Sequence, residues 1–252
     1  MKIVRAALKG KIFIGVLRDG TVQCVEGDPF DALNETDKTY PVEAVRLLAP
    51  VKPQKIVAVG LNYRSHADEL SMEVKKDPII FLKPQSAVIG PLDEIVIPEM
   101  SERVDYEAEL GVVIGKTCRN VAPEAVPGYI FGYTCVNDVT ARDLQKTDGQ
   151  WTRAKGFDTF CPIGPWVETD YDWKGKRVQA VLNGEVKQDA ATDDLINGVE
   201  RLVSFISRVM TLCPGDVIAT GTPKGIGPMQ PGDTIEIVVE GIGTLKNTVK
   251  TA

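Results

Sequence analysis

The sequence predicts a strand-dominated α+β fold. Three observations carry the prediction. Most apolar runs are strand-sized, the longest of them of the type IEIVV, and Gly, Pro or Asn-Gly punctuates them. A long amphipathic helical period occurs in one stretch, GVERLVSFISRVM, and the whole chain offers two or three helices. No GxGxxG stands between a strand and a helix, which argues against a doubly wound dinucleotide fold. At 252 residues the chain reads as one large domain, or as a large domain with a small appendage.

The chain opens with short strands, KIVRAAL, KIFIGVL and TVQCV, and Asp19-Gly20 turns the second into the third as a hairpin. A polar stretch follows over residues 27–41. Pro50 and Pro53 then punctuate the exit, so residues 1–52 read as a small N-terminal lobe and residues 53–252 as the main domain. A functional cap and a plain extension are both open for that lobe.

KIVAVG is a buried-type strand that ends at Gly60, after which Asn62, Tyr63, Arg64, His66, Asp68 and Glu69 crowd together. His66 and Glu69 are one helical turn apart, and a carboxylate beside an imidazole fixes its tautomer. A solvated loop with an incidental histidine is the bland alternative. SMEVKKD then reads as a flap, PIIFLKP and IVIP as strands, and VAPEAV as a short helix stopped by Pro127. GYIFGYTCVND is a strand ending at Asp138, directly before a helical VTARDLQ, so that carboxylate either faces a cavity or acts as an N-cap. AKGFD, with Lys155, reads as a loop. Asn183-Gly184 marks the strongest hairpin signal in the chain. In the amphipathic helix the apolar stripe is Val199, Leu202, Val203, Phe205, Ile206, Val209 and Met210. DVIATGTPKGIG is a strand running into a Gly/Pro loop, and two more strands close the chain.

Composition excludes several functions. A formal charge of -6 without any long Lys/Arg block argues against a nucleic-acid surface. No run is long enough to span a membrane, and Arg5, Lys9, Gly10 and Lys11 break any signal-peptide core. The 5 cysteines form no CxxC and suit a reducing, cytoplasmic setting. The single histidine, His66, rules out a multi-histidine metal site.

The most informative stretch is DYEAELGVVIG, residues 105–115, read as one strand with Glu107 and Glu109 on the same face. Like charges so placed repel, and a divalent cation between them is the usual cure. A solvated outer strand face is the alternative.

Taken together and in order, VGLNYRSHADE, DYEAELGVVIG, GYTCVNDVTARDLQ, the lysine of AKGFDTFCPIGPW, VLNGEVKQ and GDVIATGTPKGIG resemble the fumarylacetoacetate hydrolase family over about residues 55–250. The resemblance implies a mixed β-sandwich or β-roll, usually a homodimer. It implies Glu107, Glu109 and Asp138 as ligands of one Mg2+ or Mn2+ per subunit, and His66 with Glu69 as a catalytic dyad. Lys155 matches the active-site lysine. Arg142, Gln145 and Thr222 match substrate contacts, and residues 67–77 match a lid.

An all-oxygen ligand set suits a hard cation, and Arg142 suits a carboxylate. The expected substrate is therefore a small 2-oxo acid or dicarboxylate. The leading expectation is hydrolytic C–C cleavage of an acylpyruvate such as fumarylpyruvate or acetylpyruvate. The alternatives are an oxaloacetate decarboxylase, a 2-hydroxyhepta-2,4-diene-1,7-dioate isomerase or 5-oxopent-3-ene-1,2,5-tricarboxylate decarboxylase, and, more remotely, a non-catalytic binding relative.

Overall fold

The computed structural model describes residues 1–69 and 74–252. It is a strand-rich α+β fold built from three sheets with four short α-helices among the described residues. The largest sheet runs Asn34–Pro41, Thr21–Glu26, Lys11–Arg18, Lys2–Leu8, Cys161–Glu168, Ile130–Asn137, Ala108–Ile114, Val217–Ala219, Ile56–Gly60, Ile79–Lys83. Lys2–Leu8 pairs antiparallel with Cys161–Glu168, so the N-terminal strands continue this sheet. Val217–Ala219 and Ile56–Gly60 run parallel and make it mixed. A second sheet runs Glu185–Ala191, Arg177–Leu182, Thr234–Val239, Gly243–Thr251, Glu94–Ile97. Both hairpins read from the sequence are present, at Asp19-Gly20 and at Asn183-Gly184.

Ala108–Ile114 is buried along its whole length and separates two apolar clusters. Leu110, Val112 and Ile114 enter one with Ile235, Ile237 and Leu245 of the second sheet; Val113 enters the other with Val136 and Ile163. Alternation along a strand divides its side chains this way. The helix Val199–Val209 presses Leu202, Val203 and Ile206 onto the first cluster. Each such burial stabilises by about 1.5–3 kcal/mol. Val209, expected in the apolar stripe, is exposed, because the helix ends there.

Four local expectations are corrected. Residues 105–115 are not one strand: Val104–Tyr106 belongs to a separate three-stranded sheet, and the chain breaks at Glu107 before Ala108–Ile114. The break is held by Asn137, whose side-chain oxygen accepts the Glu107 N–H at 3.0 Å, while the Glu107 carbonyl accepts the Asp138 N–H at 3.0 Å. Asp138 is no N-cap, since the helix Arg142–Asp148 starts four residues later without a side-chain cap. Lys155 sits in a helix, Thr152–Gly156, one turn long and too short to show a period. Within the polar stretch, Asn34–Pro41 is a strand at the edge of the large sheet, mostly exposed and therefore without an apolar pattern.

Of the segment 67–77, expected to act as a lid, residues 70–73 lie outside the described residues. Among the described residues no helix is long and apolar enough to cross a membrane.

Candidate active site

The break at Glu107, the end of Ile130–Asn137 and the helix Thr152–Gly156 converge on one cavity of about 100 Å³. Seven of the nine residues singled out in the sequence line it: His66, Glu107, Asp138, Arg142, Gln145, Lys155 and Thr222. Glu69 and Glu109 stand outside its wall, each joined to the site through a neighbour. The rest of the wall is apolar, with Leu61, Ile79, Phe81 and Trp151. Trp151 packs edge-on to Phe81, ring centroids 5.1 Å apart.

Glu107, Glu109 and Asp138 are buried, and each offers one oxygen within 4.8 Å of the others. Their environments differ. Glu107 accepts Lys155 Nζ at 2.8 Å on Oε2 and Arg142 Nη2 on Oε1. Burial would push its carboxyl up, but Lys155 and Arg142 outweigh that and hold it below the usual carboxylate range. Among the described residues the Glu109 carboxylate accepts one hydrogen bond, from the Gly221 N–H to Oε2 at 2.7 Å. Burial first, then the charges of Asp138 and Glu107, push its carboxyl well above the ordinary value. Gly221 reaches this position at φ +101, where a Cβ would also stand 2.7 Å from Asn62 Cβ.

This is a donor set that fits a divalent ion. Three carboxylates supply hard oxygens, no histidine or cysteine joins them, and Glu109 carries the electrostatic strain a cation relieves.

Cations surround the cluster. Lys155 Nζ also donates to Asp138 Oδ2 at 2.6 Å, and these two acids keep its ammonium protonated despite the burial that opposes it. Arg142 is fixed on three sides, with Nε on Asp105 Oδ2 at 2.9 Å and Nη1 on Gln145 Oε1 at 2.6 Å besides Glu107. One turn of the helix Arg142–Asp148 places Arg142 beside Gln145. Of the five guanidinium N–H groups, three are bonded among the described residues.

His66, on the helix Arg64–Glu69, places Nδ1 2.8 Å from Glu69 Oε2. Glu69 in turn accepts the Gly225 N–H at 3.1 Å, which ties the dyad to the Gly/Pro loop. The imidazole is buried and lines the cavity, and Nε2 has no hydrogen-bond partner among the described residues.

Sequence reasoning missed three supporting residues. Lys83 is buried against Asp138, Asp105 is buried under Arg142 and Arg103, and Gln188 joins the Ala108 N–H to Thr222 Oγ1. Lys83 gave one signal, a charge closing the apolar strand Ile79–Lys83 just before Pro84.

The comparisons with known proteins identify the family. A family model described as fumarylacetoacetate (FAA) hydrolase C-terminal matches residues 55–250, and one described as Rv2993c-like, N-terminal, matches residues 1–50. An uncharacterized protein of Archaeoglobus fulgidus is 56% identical over 208 residues, 82% of this chain and 83% of that protein. Oxaloacetate tautomerase Fahd2a, mitochondrial, of Rattus norvegicus is 39% identical over 83% of this chain and 71% of its own length. The crystal structure of 2-hydroxyhepta-2,4-diene-1,7-dioate isomerase from Mycobacterium marinum superposes with a TM-score of 0.94 at 44% identity, covering 100% of this chain and 98% of that one. Maleylpyruvate hydrolase from Sphingobium sp. SYK-6, solved in complex with manganese(II) and pyruvate, superposes at 0.84 with 32% identity, both chains covered fully at 100%. With the family model matched over residues 55–250, the chain belongs to the fumarylacetoacetate hydrolase family.

Proposed function

We propose that the protein is a divalent-metal-dependent enzyme that interconverts enol and keto forms of a small 2-oxo dicarboxylate, or releases CO2 from such a compound. The observation that carries this reading is the placing of the chain's one imidazole on the same cavity as two of the three clustered acids and two cations. The names of two relatives point the same way, an isomerase and a tautomerase at 44% and 39% identity, while hydrolases stand at 42% and 32%. Hydrolytic C–C cleavage, the leading expectation from the sequence, takes second place. It stays as the second reading because a hydrolase of the same fold is seen with manganese and pyruvate.

A divalent ion held by Glu107, Glu109 and Asp138 would polarise the 2-oxo group and offset charge developing on its oxygen. The remaining work falls to side chains. The other N–H groups of Arg142 pair with a substrate carboxylate. His66 Nε2 takes the proton from the carbon beside the oxo group, the C–H electron pair forms the new C=C bond, and the C=O π pair moves onto the oxygen. Return of a proton to oxygen gives the enol; the reverse order gives the ketone. Glu69 holds the ring and offsets the imidazolium charge while the proton is in transit. Lys155 is the second proton carrier on the cavity wall. Leu61, Ile79 and Trp151 keep bulk water from the reacting carbon.

The test is to supply Mn2+ or Mg2+ and then oxaloacetate, 2-hydroxyhepta-2,4-diene-1,7-dioate and fumarylpyruvate in turn. Enol absorbance, CO2 and pyruvate are followed together. A metal-dependent change in enol absorbance or release of CO2 is expected from the first two. Fast pyruvate release from fumarylpyruvate, with neither of those changes, would overturn the primary reading in favour of hydrolysis.

A further inference from the structure

Asp138 carries two ammoniums, one from each side. Lys155 lines the cavity and holds Oδ2 at 2.6 Å. Lys83 does not line it; its Nζ holds Oδ1 at 2.5 Å and donates a second hydrogen bond to the carbonyl of Val139 at 3.2 Å. Lys83 is 1% exposed at the end of the strand Ile79–Lys83. Taking an ammonium out of water costs several kcal/mol, so a buried lysine is kept only with good partners. Asp138 was already partnered on its other oxygen, which leaves charge balance with Lys155 an incomplete account of Lys83.

We propose that Lys83 is a positioning residue that makes Asp138 a single-oxygen ligand. The proposal rests on the reading that the acid cluster holds a divalent ion. A carboxylate torsion is broad and two-fold, so an unrestrained Asp138 can turn both oxygens toward a cation. An ammonium on Oδ1 removes that option and leaves Oδ2 on Lys155, whose ammonium also holds Glu107. The geometric consequence is coordination economy. Mg2+ and Mn2+ favour about six ligands in octahedral order, and each position a carboxylate leaves free is open to substrate or water. Ca2+ accepts more oxygens and bidentate carboxylates, so a freed Asp138 suits it better. Lys83 thus excludes the larger ion as well as fixing the ligand.

The experiment measures Mn2+ affinity from the free-ion electron paramagnetic resonance signal, and Ca2+ affinity by competition, on wild type and Lys83→Met. Circular dichroism and the thermal midpoint are recorded alongside. Loss of a ligand's outer partner typically weakens metal binding by about 10- to 100-fold. The expected result is a Mn2+ loss in that range with a smaller loss, or a gain, for Ca2+. Lys83→Gln, which keeps a donor but not the charge, takes the place of Lys83→Met if the latter fails to fold. A lower thermal midpoint with both affinities unmoved overturns the proposal, as does tighter Mn2+ binding. Wild type that binds no Mn2+ overturns the metal reading and this inference with it; wild type that binds alongside an unchanged variant overturns the role of Lys83 alone.

Discussion

Asp105 accepts the Nε–H of Arg142 at 2.9 Å while fully buried, and so fixes the guanidinium that faces the cavity. The same carboxylate takes Arg103 through two further hydrogen bonds, at 2.9 and 3.2 Å. Asp105→Asn breaks a buried ion pair and leaves a guanidinium short of its counter-charge, at a cost of about 3–5 kcal/mol. The thermal midpoint is expected to fall by roughly 6–20 °C for a chain of this size. Among molecules still folded, KM should rise more than kcat falls, because Arg142 stays on Glu107 and Gln145 but loses its third anchor. An unchanged KM would detach Asp105 from the site.

The His66–Glu69 pair predicts a separation of proton transfer from metal binding. His66→Ala is expected to lower turnover by about 10²- to 10⁴-fold. Mn2+ affinity should stay at the wild-type level, since the imidazole is no member of the acid cluster. Glu69→Gln removes the ring's charged partner and one anchor of the Gly/Pro loop, and should fall between the two. Steady-state kinetics and a metal titration on the same preparations check both halves.

How much of this was legible in the sequence follows from the range of the interactions. Hairpins at Asp19-Gly20 and Asn183-Gly184 are set by residues adjacent in the chain, and both were read correctly. Glu107, Glu109 and Asp138 stand out in the sequence as acids within or at the end of apolar runs, and the fold brings them together. Lys83 did not stand out, since a lysine at a strand end reads as a surface residue until its partner, 55 positions on, is known. Gln188 was hidden for the same reason, its contact with the Ala108 N–H spanning 80 positions. The break at Glu107 depends on the Asn137 side chain, and no periodicity within residues 105–115 reports it. Asn34–Pro41 was missed because an exposed edge strand carries no apolar alternation.

Glu109 predicts a pH dependence whose sign is fixed by its environment. Its folded carboxyl titrates well above the ordinary 4.5, through burial and the charges of Asp138 and Glu107. Between the ordinary value and the raised one the folded chain therefore binds a proton that the unfolded chain has released. Stability without metal falls as pH rises through that window. Glu109→Gln, a neutral mimic, should be no more stable than wild type near pH 4 and progressively more stable relative to it as the pH increases. Urea melts with chelator at a series of pH values give the comparison. Added Mn2+ should reverse the trend for wild type alone, because a cation replaces the proton.

Gly60 and Trp151 make a prediction about the apolar wall. A Cβ on Gly60 would stand 2.6 Å from Trp151 Cζ3 and 2.8 Å from Cη2, closer than packed carbons approach. The indole also packs against Phe81, ring centroids 5.1 Å apart, and lines the cavity, so it has little room to yield. Gly60→Ala is thus an overpacking change, expected to cost about 1–3 kcal/mol. It should also raise KM, because the cavity of about 100 Å³ has little space to give up. Trp151→Phe in the same chain removes the clashing ring and should restore KM toward the wild-type value even though either substitution alone impairs it. A double variant no better than Gly60→Ala would place the effect in the strand rather than in its contact with the indole.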